Sequence, residues 1–171
     1  MHPAVILISV LATVAPFRPA PVPDNPAIDM AGYLRVSEEA AKEREGRRVS
    51  EGDFIRMSHE PGTIVLDARS ANRFVLLHVN GAVSLPFTEF TAASLAAVIP
   101  DMTTRVLIYC NNNFRGAEEA FPLKAPYASL NLSTYIELYS YGYRNLYELG
   151  PRIDIHRTRL ELVGTTPVLH K

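Results

Sequence analysis

The chain has 171 residues, 47% of them hydrophobic, with 17 Lys and Arg against 18 Asp and Glu. That length suits one globular core plus an appendage, and the near-zero net charge excludes a dedicated nucleic-acid or polybasic membrane surface, which needs an excess of cations. A single cysteine excludes an internal disulfide framework and a cysteine-only zinc site. The histidines, at 2, 59, 78, 156 and 170, lack metal-ligand spacing, so neither a metal nor a cofactor is expected.

Ala4 to Ala15 is an unbroken apolar or small run, shorter than the roughly 20 residues a bilayer span needs but of the length of a signal-peptide core. Export is the expectation, to the periplasm in a bacterium; membrane anchoring by this segment and a cytoplasmic location are the alternatives. The preceding Met-His-Pro carries no Lys or Arg, and the small-x-small sites ending at Ala15 and Ala20 are each followed by proline. Five prolines between Pro16 and Pro26 predict an extended linker. The organisation is then 1–26 signal-like segment and linker, 27–49 helical extension, and 50–171 one domain with a C-terminal tail.

Asp29 to Glu45 has helical periodicity, with Tyr33, Val36, Ala40 and Ala41 near one face and Glu38, Glu39, Lys42, Glu43 and Arg44 near the other. Ser50 is placed as the N-cap of a second helix, with Asp53 as the acid of a capping box, and Pro61-Gly62 ends it. Thr63 to Leu66 reads as a buried parallel strand and is followed by Asp67-Ala-Arg69. A short helix from Ser70, a turn at Asn80-Gly81, a strand running into Pro86 and a helical stretch from Phe87 to Ile99 come next. Strands alternating with helices predict an α/β fold, a mainly parallel β-sheet flanked by helices on both faces.

Val106 to Tyr109 is a second buried strand, and it ends on Cys110. Asn111, Asn112, Asn113, Phe114 and Arg115 follow, and Gly116 to Phe121 reads as the first turns of a helix. A thiol at the carboxyl end of a strand, facing a helix start, sits where thiolates are stabilised. Beyond it, Pro122 and Pro126 interrupt the helix, Ser133 caps another through Tyr141, and Asn145 to Leu149 forms a further strand. Arg159 to Val163 is strand-like.

Three stretches together resemble the rhodanese-like domain family. Val65 to Arg69, Phe74 and His78 to Pro86 resemble its opening Asp-x-Arg strand end and Gly-His-Ile-x-Gly-Ala segment. Val106 to Cys110 with Arg115 resembles its strand and active-site loop, and Gly142 to Leu149 its closing strand. The resemblance runs from about Ser50 to Gly150. Four residues separate Cys110 from Arg115, the spacing of the sulfurtransferase branch; phosphatases of the related fold have a longer loop. The chain departs at Leu77, where the family has glycine, at Asn111-Asn112-Asn113, where basic and glycine residues are commoner, and at Pro122 to Leu132, a proline-rich insertion.

The resemblance implies a sulfurtransferase. Cys110 takes a sulfur from a small anionic donor such as thiosulfate, holds it as a persulfide and passes it to a thiol or cyanide. Asn111, Asn112, Asn113, Phe114, Arg115 and Gly116 form the substrate loop, whose N–H groups curl around the sulfur, with Arg115 as the anchor for the anion. Asp67 and Arg69 support the loop by ion pairing, and His78 is a structural histidine. With no second cysteine, the acceptor comes from outside, and an external thiol protein is one candidate. Two other readings stand beside this one: a non-catalytic binding or sulfur-carrier module, and a redox-sensing cysteine.

Overall fold

A computed structural model describes residues 25–168 together with Pro23; the Ala4–Ala15 segment lies outside them, as does most of the proline linker. In chain order the elements are α1 (Met30–Arg44), β1 (Arg48–Val49), α2 (Glu51–Ser58), β2 (Thr63–Asp67), α3 (Ala71–Leu76), β3 (His78–Val79), β4 (Val83–Ser84), α4 (Ala92–Val98), β5 (Arg105–Tyr109), β6 (Phe114–Arg115), α5 (Leu130–Ser140), β7 (Leu146–Leu149), β8 (Ile153–Asp154) and β9 (Leu162–Val163). Five strands form one sheet in the order β1-β7-β5-β2-β4, and every pairing in it is parallel. The short β3 pairs antiparallel with β9, and β6 pairs parallel with β8.

The apolar runs become central strands because both of their faces find cover. Successive side chains on a strand point to opposite faces, so β2 and β5 each feed two cores. Val65, Leu107, Tyr109 and Leu149 pack with Phe54 and Met57 of α2 on one face. Leu66, Val106, Ile108 and Leu146 pack with Leu95 of α4 and Tyr135 and Leu138 of α5 on the other. Each fully buried aliphatic side chain contributes about 1.5–3 kcal/mol. Helices on both faces of a parallel sheet are the expected α/β arrangement.

The N-terminal extension is built into this domain. Asp29 caps α1 by accepting from the Gly32 N–H at 2.8 Å, and Ala40 is fully buried in the second core. Arg48 and Val49 add an edge strand against Glu148 and Leu149. The predicted apolar face of α1 is narrower than expected: Val36 and Ala40 pack inward, while Tyr33 and Ala41 are exposed.

The local start signals held in part. Ser50 caps α2 by accepting from the Asp53 N–H, but the Asp53 carboxylate accepts from the Ser50 hydroxyl rather than from the backbone. The Phe87–Ile99 stretch divides into a 3-10 turn at Phe87–Glu89 and α4, which carries its own Thr91/Ser94 capping box. No helix follows Gly116. That glycine takes φ +92°, only the Phe121 N–H to Ala117 carbonyl bond closes a turn, and Pro122 has no N–H with which to continue. The next helix, α5, begins at Leu130 behind Ser129, so Ser133 lies inside it rather than capping it.

Candidate active site

Cys110 follows the last residue of β5, the middle strand of the sheet. Its residue exposure is 1%. The sulfur itself caps the 3-10 turn Asn111–Asn113, accepting from the Asn112 N–H at 3.4 Å. On its other side the Ser129 hydroxyl lies 3.4 Å from Sγ. Ser129 is the N-cap residue of α5, yet its side chain makes no capping bond to its own helix; it faces the cysteine instead. The positive end of an eleven-residue helix is therefore directed at the thiol. Such an end favours negative charge beside it, whereas burial opposes it.

This corrects the expected source of the dipole. The helix start predicted at Gly116 is supplied by α5, after an excursion through β6 and the Pro122–Ala128 segment. It also corrects the expected ring of N–H groups around the sulfur. Asn113 N–H donates to the Cys110 carbonyl at 3.1 Å, Phe114 N–H to the Asn111 carbonyl, and Gly116 N–H to Glu118 Oε1 at 3.2 Å. The Asn112 N–H reaches Sγ at 3.4 Å, and the Asn113 N–H faces the sulfur as well, in a capping-box arrangement.

Asn113 holds the turn in place. Its Oδ1 accepts from the Cys110 N–H at 2.8 Å and from Asn131 Nδ2 at 3.0 Å. Its Nδ2 donates to the Leu149 carbonyl at 2.6 Å and to the Pro151 carbonyl at 3.2 Å. One buried amide thus ties the end of β5 to α5 and to the end of β7. Asn112 is exposed at its amide end, which pairs with the Lys124 backbone. Asn111 is 4% exposed, and its Oδ1 has no hydrogen-bond partner.

The remaining predicted loop residues leave the cysteine. Phe114 enters the first core, 4.4 Å from the Phe121 ring and edge-on to Tyr109 at 5.8 Å. Arg115 pairs in register with Asp154, its guanidinium 3.7 Å from that carboxylate and its side chain 57% exposed. Gly116 packs so closely against Ile155 and His156 that a Cβ would lie 3.2–3.3 Å from them. The structure brings Cys110, Asn112 and Asn113 together and carries Phe114, Arg115 and Gly116 to β8.

Asp67 and Arg69 lie at the end of β2 and tie it to the chain at Leu77, Tyr109 and Ala120. Arg69 bonds the Asp67 carboxylate through Nε and Nη2, with its Nη1 donating to the Ala120 carbonyl at 2.9 Å and Nη2 to the Leu77 carbonyl at 2.7 Å. Tyr109 donates to Asp67 Oδ2 at 2.5 Å. Burial, reinforced by the Asp67 charge, holds the Tyr109 phenol well above its ordinary range. His78 accepts a structural place, its Nδ1 2.8 Å from the Phe74 carbonyl and its ring stacked on Phe74 at 3.7 Å.

Ser129, Asn131 and Tyr109 are the residues around this site that sequence reasoning did not single out. Asn131 and Asn113 meet across 18 residues of chain, and no local spacing announces that contact. Ser129 was within reach: a serine ahead of an apolar run is an N-cap signal.

A parallel α/β sheet with a cysteine at the carboxyl end of its middle strand, beneath a helix N-terminus, defines a thiol-centred domain of the rhodanese architecture. A sequence profile described as "Rhodanese-like domain" matches residues 50–149, more than half of the chain. The chain belongs to the rhodanese-like domain family. Among solved structures it is similar to the BH2092 protein of Bacillus halodurans, at 18% identity over 77% of this chain and 87% of that one, with a TM-score of 0.50. It is also similar to a rhodanese with anions from E. coli, at 20% identity over 60% and 98% of the two chains and TM-score 0.41. A third is protein hp1203 of Helicobacter pylori, at 17% over 70% and 91% with TM-score 0.46. No curated protein matches the chain.

Proposed function

We propose that the protein is a sulfurtransferase working through a persulfide on Cys110. The observation that carries this reading is the setting of the sulfur: at the end of the middle strand, capped by the Asn112 N–H and faced by Ser129 at the N-terminus of α5. In the first half-reaction the Cys110 thiolate attacks the outer sulfur of a small anionic donor such as thiosulfate. The new S–S bond forms as the donor's S–S bond breaks, and sulfite leaves with the electron pair. In the second, an external thiolate or cyanide attacks the outer sulfur of the persulfide and Cys110 leaves as thiolate. The chain has one cysteine, so nothing within it resolves the persulfide and the acceptor is another molecule, a thiol protein among them.

The test is intact mass after exposure to thiosulfate and other sulfane donors, followed by cyanide and assay of thiocyanate. The expected result is one added sulfur on Cys110 that cyanide removes, with no addition in Cys110→Ala. A mass gain or thiocyanate formation that persists in Cys110→Ala would sink the mechanism.

A second reading, a non-catalytic rhodanese-like binding module, is favoured by two features. Cys110 is a buried residue whose sulfur serves as a structural cap, and Arg115 is paired with Asp154. Absence of the sulfur adduct with every donor is the result that selects it. We propose in addition that the apolar Ala4–Ala15 run directs export. Mass determination of the mature amino terminus checks this, and a protein isolated from the cytoplasm with Met1 intact is the contrary outcome.

A further inference from the structure

We propose that the Pro122–Ala128 segment is a lid over Cys110 and that the Asn112 side chain is its latch. The inference rests on Cys110 as the working sulfur and concerns how a reactant reaches it. From Leu123 to Ala128 every residue is exposed, with Leu123 at 61% and Tyr127 at 87%, so apolar burial does little to hold the segment down. Inside it, a 3-10 turn closes through Ala128 N–H to the Ala125 carbonyl at 2.9 Å and Ser129 N–H to the Pro126 carbonyl at 3.3 Å. Its fastening to the cysteine turn is one amide. Asn112 Nδ2 donates to the Lys124 carbonyl at 2.9 Å, and the Lys124 N–H donates to Asn112 Oδ1 at 3.1 Å. The same residue's backbone N–H reaches the sulfur, so a single residue couples the cover, through its side chain, to the nucleophile, through its backbone.

The space on either side of the segment shows what lifting it would open. One cavity, of about 200 Å3, is walled by Pro126 and Ser129 and reaches Arg44 and Arg48. Another, of about 240 Å3, is walled by Pro122 and Lys124 and reaches Arg73 and Asn111. Ser129 and Asn112, which both touch Sγ, line the first; Asn111, next to Cys110, lines the second. Raising Pro122–Ala128 joins the two into one cleft above the sulfur, with Arg73 at one end and, at the other, Arg44 and Arg48, both paired with Glu148. Segments with few buried contacts and exposed hydrogen bonds open at far lower free energy than the core, so this cover moves while the sheet stays folded.

The experiment labels the full chain with iodoacetamide and reads the adduct by intact mass; with one cysteine the signal belongs to Cys110 alone. Loss of both latch bonds in Asn112→Ala is expected to raise the labelling rate about tenfold at an unchanged urea midpoint. Asn112→Asp, which keeps the acceptor for the Lys124 N–H and loses the donor to the Lys124 carbonyl, falls between. Equal rates in the three proteins at equal stability overturn the proposal. Native-state hydrogen exchange of the unaltered protein is the second readout, independent of any variant's folding. The Lys124 amide is expected to exchange far faster than the Ile108 amide of β5, and equal protection overturns the lid. Labelling reads access and persulfide mass reads chemistry. A protein that labels as expected but never gains sulfur therefore loses the sulfurtransferase reading and keeps the lid.

Discussion

The ends of β2 and β5 lie side by side in the same sheet, yet they are finished in opposite ways. At the end of β2, Asp67 and Arg69 are 0% and 2% exposed, and their polar groups are engaged with one another, with Tyr109 and with the Ala120 and Leu77 carbonyls. The Arg69 guanidinium also lies 4.2 Å over the Phe121 ring. At the end of β5, the sulfur's hydrogen-bond contacts to Asn112 and Ser129 are long, at 3.4 Å, Asn111 Oδ1 has no partner, and the covering segment hangs from one amide. The fold concentrates rigidity under the site so that the site's upper side can be lightly held. Charge after a strand is therefore not a sign of chemistry by itself; the unsaturated end is the one with something left to bind.

The largest effect is expected from breaking the closed end. Asp67→Ala leaves the Arg69 guanidinium buried without its carboxylate and removes the acceptor of the Tyr109 hydroxyl. A buried pair broken on one side costs about 3–5 kcal/mol, to be read as a fall in the urea unfolding free energy. A loss under about 1 kcal/mol, the range of exposed pairs, would mean the network carries no such weight. Asn113→Ala is the corresponding break at the base of the open end. It strands the Cys110 N–H and the Leu149 carbonyl, both buried, at about 2 kcal/mol. An unchanged midpoint would show that the turn holds its shape without that amide.

How far the sequence disclosed this contrast follows from the range of the interactions. β2 and β5 were legible because each centres on an unbroken apolar run, and a run buried on both faces needs no partner to be recognised; β7, apolar but for Glu148, was legible as the stretch after the helix stop at Gly142. The Asp67–Arg69 ion pair was legible too, since two opposite charges two positions apart at a strand end meet locally. β1 and β8 were not legible: two-residue strands such as Arg48–Val49 and Ile153–Asp154 have no periodicity, and pairing with distant chain creates them. The same holds for the site. Cys110 was visible as a thiol ending a strand, but the helix facing it was sought at Gly116, directly next in sequence. Gly116 instead turns the chain away, and Ser129 and Asn131 return it, through contacts that only the folded backbone brings together.

Tyr109 bridges the two ends and gives the comparison a pH dependence. Burial first, then the Asp67 charge, raises its phenol above the ordinary value of about 10; burial likewise pushes Tyr135 up to about 12. The folded state then holds these protons more tightly than the unfolded chain. The stabilisation is fully present below about pH 10 and is lost as pH rises above it. Tyr109 is expected to account for about 1 kcal/mol of that loss over the first pH unit, measured as urea unfolding free energy against pH. Tyr109→Phe should flatten the alkaline limb; an identical slope in that variant would assign the loss to other groups.

The smallest effect is expected where the sequence pattern pointed most strongly. Arg115 stands where the Cys-x4-Arg spacing puts the anion anchor, but its partner is Asp154 at 3.7 Å on a side chain more than half exposed. An exposed pair of that length contributes at most about 0.5 kcal/mol, so Arg115→Ala should leave the urea midpoint almost unmoved. It should also leave iodoacetamide labelling of Cys110 unchanged, because Arg115 fastens nothing to the lid. Persulfide formation in the same variant sharpens the point. If it proceeds as in the unaltered protein, the donor anion is held by groups other than Arg115, and Arg44, Arg48 and Arg73 around the joined cavities become the next substitutions. If it is lost while labelling and stability are intact, Arg115 must swing from Asp154 to the sulfur during the reaction, and the open end of the sheet reaches as far as β8.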